Sequence, residues 1–112
     1  MSRPAELTSA ARAEAAKAVR WLARRSPEAA RGLRQSIGDA ARLLGNQPLA
    51  GRAEPELVGP RYRLWSLVSF PYVLVYDPWP DPPQILRVAH TARDLGPLLA
   101  DFAAMSDEQD LS

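Results

Sequence analysis

Residues 84–95 read Gln84-Ile85-Leu86-Arg87-Val88-Ala89-His90-Thr91-Ala92-Arg93-Asp94-Leu95, and the change of character inside this run decides the fold. Ile85, Leu86, Val88 and Ala89 favour a buried strand. Thr91, with Asp94 three residues on, has the spacing of a capping box, so a helix is predicted to start there. A strand that turns directly into a helix gathers Arg87, the only histidine, His90, and Arg93 at one corner, where any chemistry should be sought. The same residues support a purely structural reading, in which Arg93 and Asp94 tie strand to helix and His90 bonds backbone.

Working back along the chain, residues 72–76 and 62–68 supply two more strands, and the 72–76 segment is apolar throughout, hence central. Phe70-Pro71 joins them in a tight turn. Asp77-Pro78-Trp79-Pro80-Asp81-Pro82-Pro83 holds four prolines, which predicts a stiff, protruding loop with Trp79 exposed at its tip. Residues 46–60, with three prolines and two glycines, read as a long irregular connection.

The first half of the chain is helical in pattern. Glu6 and Leu7 make a short edge strand, and Thr8 caps a helix whose stripe is Ala11, Ala15, Ala18, Val19 and Leu22. Ser26-Pro27-Glu28 restarts a second helix with stripe Ala30, Leu33, Ile37, Ala40, Ala41 and Leu44, and Gly45-Asn46 is expected to stop it. So short a connection implies an antiparallel hairpin lying on a sheet. Downstream, Leu95, Leu98, Leu99 and Phe102 have the spacing of a short last helix, although Gly96-Pro97 weakens its first turn. The expected architecture is α+β, with residues 1–105 as one domain and 106–112 as an acidic flexible tail.

Composition bounds the function classes. The 112 residues contain no cysteine and one histidine, which removes disulfides, thiolate chemistry and the usual clustered zinc ligands, so neither metal nor cofactor is expected. No stretch approaches the roughly 18 apolar residues that span a bilayer, and the expected location is cytoplasmic. Net charge is +1, yet residues 1–63 hold 12 Arg or Lys against 6 acids, while residues 64–112 hold 2 against 7. Such asymmetry marks either a basic face or the codon bias that would give 13 arginines to one lysine.

The order strand, helix, helix, three strands resembles the RelE/ParE superfamily of type II toxin-antitoxin toxins. The pieces that carry the likeness are Leu7-Thr8-Ser9-Ala10-Ala11, Ser26-Pro27-Glu28-Ala29-Ala30, Gly51-Arg52 with Pro55-Glu56-Leu57, Pro71-Tyr72-Val73-Leu74-Val75-Tyr76 and, above all, residues 87–95. The last segment is similar to the Arg-Val-x-His-x-x-Arg-Asp of the ParE branch. That branch implies the toxin of a plasmid-stabilisation module, which inhibits DNA gyrase by protein contact and is neutralised by a cognate ParD-like antitoxin. Nucleic acid would then be met only through target or antitoxin.

The RelE branch implies instead a ribosome-dependent mRNA endonuclease, which needs cations around a scissile phosphate and a group to activate the 2'-hydroxyl. Its fallback set here is Arg61, Arg63, Tyr72, Arg87, His90 and Arg93. However, Leu67-Val68-Ser69-Phe70 contains no Arg or Lys, and no tyrosine follows Arg93, so two catalytic positions look empty. The first expectation is therefore a protein-binding toxin and not an enzyme; an orphan that retains only antitoxin binding is a third reading. Residues expected to meet antitoxin or target are Arg12, Arg20, Arg31, Arg34, Arg87, His90, Arg93, Leu98, Leu99 and Phe102.

Overall fold

The computed structural model describes the backbone of residues 3–110 and the side chains of residues 3–104. Among these, β1 (Glu6–Leu7), β2 (Arg52–Ala53), β3 (Arg63–Ser66), β4 (Tyr72–Asp77) and β5 (Gln84–His90) form one sheet in the order β1-β5-β4-β3-β2. β1 runs parallel to β5 and the other pairings are antiparallel. The α+β architecture is the one that the sequence predicts, with the apolar β4 at the centre and all six of its residues buried.

The hairpin forms from local signals. The Thr8 side chain accepts from the Ala11 amide (3.2 Å) to open α1 (Ser9–Ala23), and the Ser26 hydroxyl accepts from the Ala29 amide (3.1 Å) to open α2 (Pro27–Asn46). Leu33, Ile37, Ala40, Ala41 and Leu44 of α2 pack with Tyr72, Leu74, Tyr76, Ile85 and Val88 on one face of the sheet. On the other face, Val73, Val75, Leu64 and Ala89 meet Val58, Leu98 and Phe102. Period-2 alternation along β4 thus feeds two cores from one strand.

The sheet edge beside β5 is closed in an unusual way. Val75 pairs with Arg87 whereas Tyr76 pairs with Ile85, so β5 carries an extra residue, Leu86, in a bulge. Beyond the two residues of β1, α1 itself covers this edge. Thr8, already the N-cap, donates its hydroxyl to the Leu86 carbonyl (3.0 Å), and Glu14 accepts from the Val88 amide (2.9 Å). Backbone groups that would otherwise invite another strand are satisfied by helix side chains.

Four details differ from the sequence reading. The 46–60 connection contains β2 and a single helical turn, α3 (Pro55–Val58), started by its proline and ended at Gly59 with φ 82°. The strand expected over 62–68 is shorter: its last ladder bond runs from the Leu67 amide to the Tyr72 carbonyl (3.0 Å), and residues 68–71 turn. Gly45 does not stop α2 but lies buried inside it, where a Cβ would strike the Arg3 carbonyl and lie 2.8 Å from Pro4 Cα. Finally, α4 (Leu95–Asp110) accommodates Pro97 in its first turn, where no intrahelical donor is needed, and meets no Gly or Pro from Leu98 onward. The expected flexible acidic tail therefore begins as helical backbone through Asp110; its side chains and residues 111–112 lie outside the described residues.

Candidate functional site

An open cleft of about 520 Å³ lies where α1, the end of β5 and the start of α4 converge, and it takes in two of the three residues singled out around the strand-to-helix corner. Glu14, Lys17 and Trp21 line it from α1, Tyr72 from β4, Arg87 from β5, and Arg93, Asp94 and Asp101 from the far side. Arg87 is not free in it. Its Nε donates to both Glu14 carboxylate oxygens (3.1 Å each) and its second guanidinium nitrogen to Oε2 (2.8 Å). The bond to Glu14 holds the guanidinium even further above its usual range; burial opposes this, and the charges of Glu14, Asp101 and Asp94 add to it.

Glu14 escapes the sequence reading because it looks like one more charge on a helix surface. A usable signal was present: it stands three residues after Ala11 and four before Ala18, both in the buried stripe, so it must flank the core.

At the end of β5, His90 replaces Thr91 as the capping residue. The His90 Nδ1 accepts from the amides of Ala92 and Arg93 (3.2 Å each), while Asp94 accepts from the His90 amide (3.2 Å). These bonds close the turn of residues 91–94 ahead of α4, which starts at Leu95 and not at Thr91 as the sequence predicts, because Thr91 instead bonds the Pro71 carbonyl through its amide and hydroxyl. Tyr72, opposite His90 in the β4–β5 ladder, presents its ring edge-on at 5.2 Å. Asp94 therefore ties strand to helix as expected, but without Arg93. Arg93 reaches α1, its guanidinium carbon 5.5 Å from the Trp21 ring centroid, and Arg25 stacks on the same ring at 3.8 Å.

The other expected residues lie elsewhere. Arg61 donates to Asp77 (2.7 Å), which raises the arginine's pKa, and Arg63 donates to the Gly51 (2.9 Å) and Leu49 (3.3 Å) carbonyls. Both mark the opposite end of β4 from Tyr72, so the fallback nuclease set is divided between two ends of the sheet. Leu98 and Phe102 are buried in the chain's own second core, with Leu99 half-buried beside them. Arg12, Arg20, Arg31 and Arg34 all stand exposed on the hairpin. Arg12, Arg20 and Arg34 rim a groove of about 410 Å³ between α1 and α2 whose floor is Ala15, Ala16, Val19 and Ile37.

Trp79 is exposed (59%), as its loop predicts. Among the described residues no group of three His, Asp or Glu could hold a metal ion, and no helix is long and apolar enough to cross a membrane.

A family model described as ParE toxin of type II toxin-antitoxin system, parDE, matches residues 5–95. A chain in the solved structure of the chromosomal ParDE toxin-antitoxin system from P. aeruginosa superposes with a TM-score of 0.66 at 22% identity, over 80% of this chain and 96% of that one. No curated protein matches the sequence.

Proposed function

The chain belongs to the ParE toxin family of type II toxin-antitoxin systems, and from that membership we propose that it inhibits DNA gyrase by protein contact, without covalent chemistry of its own, until a cognate antitoxin neutralises it. The observation that carries the reading is the state of the two groups best suited to catalysis. Arg87 is already neutralised by Glu14, and the Nδ1 of His90 is engaged by two amides. RNA cleavage needs a free base beside a free cation at the phosphate; Lys17 and Arg93 line the cleft without an ion pair, but neither Glu14 nor the His90 Nδ1 is free to serve as the base beside them. The separation of Arg61 and Arg63 from Tyr72, Arg87, His90 and Arg93 argues the same way.

The antitoxin's place in this reading is the groove between α1 and α2. Its apolar floor suits the apolar side of an antitoxin segment, and Arg12, Arg20 and Arg34 suit carboxylates on the other side. Binding should be tight and salt-dependent, and should raise the melting temperature of the toxin, as any ligand specific for the native state must.

Pulse labelling after expression without antitoxin tests the target. Gyrase inhibition predicts arrested division and broken DNA while protein synthesis continues. Collapse of translation within minutes on intact DNA would instead assign the chain to the ribonuclease class.

A further inference from the structure

Six cations crowd the outer face of the hairpin: Arg12, Lys17 and Arg20 on α1, Arg24 at its C-cap, and Arg31 and Arg34 on α2. All are exposed, and none takes part in an ion pair among the described residues. Of the nearby carboxylates, Glu14 is engaged by Arg87 and Asp39 by Arg42; Glu28 stands in the first turn of α2, and Asp94 and Asp101 share the cleft that Lys17 lines without pairing to it. Six like charges on one hairpin repel one another, and no ion pair among the described residues relieves them.

We infer that this face docks on the phosphate backbone of duplex DNA. Arg12, Arg20 and Arg34 rim the apolar groove and would serve an antitoxin, but Lys17, Arg24 and Arg31 stand outside it. Beside them the exposed α1 positions Ala13, Ala16 and Ala23 are small, and the one large apolar side chain, Trp21, 40% exposed, has its ring taken by Arg25 at 3.8 Å. A protein partner or a bilayer surface would require large apolar anchors there. A single strand would require a free aromatic platform, whereas Trp21 already lies under Arg25. What remains is a helix face that reads charge density alone. From Arg12 to Arg24 the helix rises roughly 18 Å, over which a duplex presents one charge per ~1.7 Å. The choice of DNA over duplex RNA rests on the proposed target, an enzyme that acts on duplex DNA. The contact is direct, beyond the indirect ones that the family resemblance implies, and it competes with antitoxin for the groove's rim.

The test measures anisotropy of a fluorescein-labelled duplex of about 30 base pairs with the purified full chain and no gyrase, so its outcome is independent of the target assignment. Binding is expected in the micromolar range at about 50 mM salt, with a slope of log K against log salt near −5 for six contacts. Lys17→Ala with Arg24→Ala should reduce that slope by about 2, and Arg31→Ala by about 1. Arg52→Ala, on an edge strand away from the hairpin, should leave it unchanged. No binding at low salt, slopes indifferent to the hairpin variants, tighter binding to duplex RNA, or equal binding to an acidic peptide of the same charge would each overturn the inference.

Discussion

Glu14 and Arg87, 73 residues apart in sequence, close the open edge of the sheet together: one carboxylate receives the Arg87 guanidinium and, through Oε1, the Val88 amide (2.9 Å). A residue that looks like surface charge thus completes a strand edge, and the arginine that looks like a catalytic cation is the partner that holds it in place.

Loss of this carboxylate should be felt in stability. Glu14→Ala strands both the guanidinium and an edge amide, at a cost of about 1–2 kcal/mol once partial exposure of the pair is discounted. Glu14→Gln keeps an acceptor for Val88 and should cost less. Urea denaturation midpoints check the order; equal midpoints for Ala, Gln and wild type would refute the edge-closing role.

Tyr76 should make the fold sensitive to alkali. It is fully buried, donates to the Pro48 carbonyl (2.6 Å) and accepts from the Gly51 amide (2.8 Å). Burial pushes its phenol above the ordinary value near 10, outweighing the Gly51 bond and the charge of Arg63. A raised folded value means that the phenol's contribution is intact below the unfolded pKa and is lost as pH climbs through the folded one. Tyr76→Phe should cost about 1–3 kcal/mol at neutral pH and flatten the fall in stability above about pH 10.

Two glycines should respond differently to alanine. At Gly45 a Cβ would collide with the Arg3 carbonyl, so Gly45→Ala should displace the segment leading to β1 and cost about 1–3 kcal/mol. At Gly96, in the first turn of α4, nothing beyond its chain neighbours lies within 4 Å of a Cβ, but a Cβ directly before Pro97 crowds the ring in helical backbone, which offsets the gain in helix propensity, so Gly96→Ala should be close to neutral. Thermal melts of the two variants provide the comparison.

The elements that the sequence reveals are those with strong local signals: Thr8 and Ser26-Pro27 fix both helix starts, and the apolar run from Tyr72 identifies the central strand. The two-residue β2 and four-residue α3 are too short to show a period. The strand-to-helix corner was readable in position but not in chemistry. Whether Thr91 or His90 caps the turn depends on which carbonyl Thr91 meets, and Pro71, twenty residues away, supplies it. Likewise, sequence places Arg87 and His90 together but cannot reveal that Glu14 and two backbone amides already occupy them.

The corner makes its own prediction. His90→Ala should cost about 1 kcal/mol by freeing the Ala92 and Arg93 amides, whereas His90→Asn, whose side chain can still cap, should recover much of it. Asp94→Ala should act in the same direction through the His90 amide. Arg93→Ala loses only the distant Trp21 contact and should leave melting nearly unchanged. A toxicity loss in Arg93→Ala without a stability loss would put that side chain at the target surface.

Action by contact on gyrase can be measured with purified components: supercoiling by gyrase with the toxin present, alongside an assay of mRNA cleavage on programmed ribosomes. The account predicts dose-dependent loss of supercoiling with accumulation of cleaved DNA, reversal by the antitoxin, and intact mRNA. Unimpaired supercoiling together with mRNA cut in the ribosomal A site would contradict it.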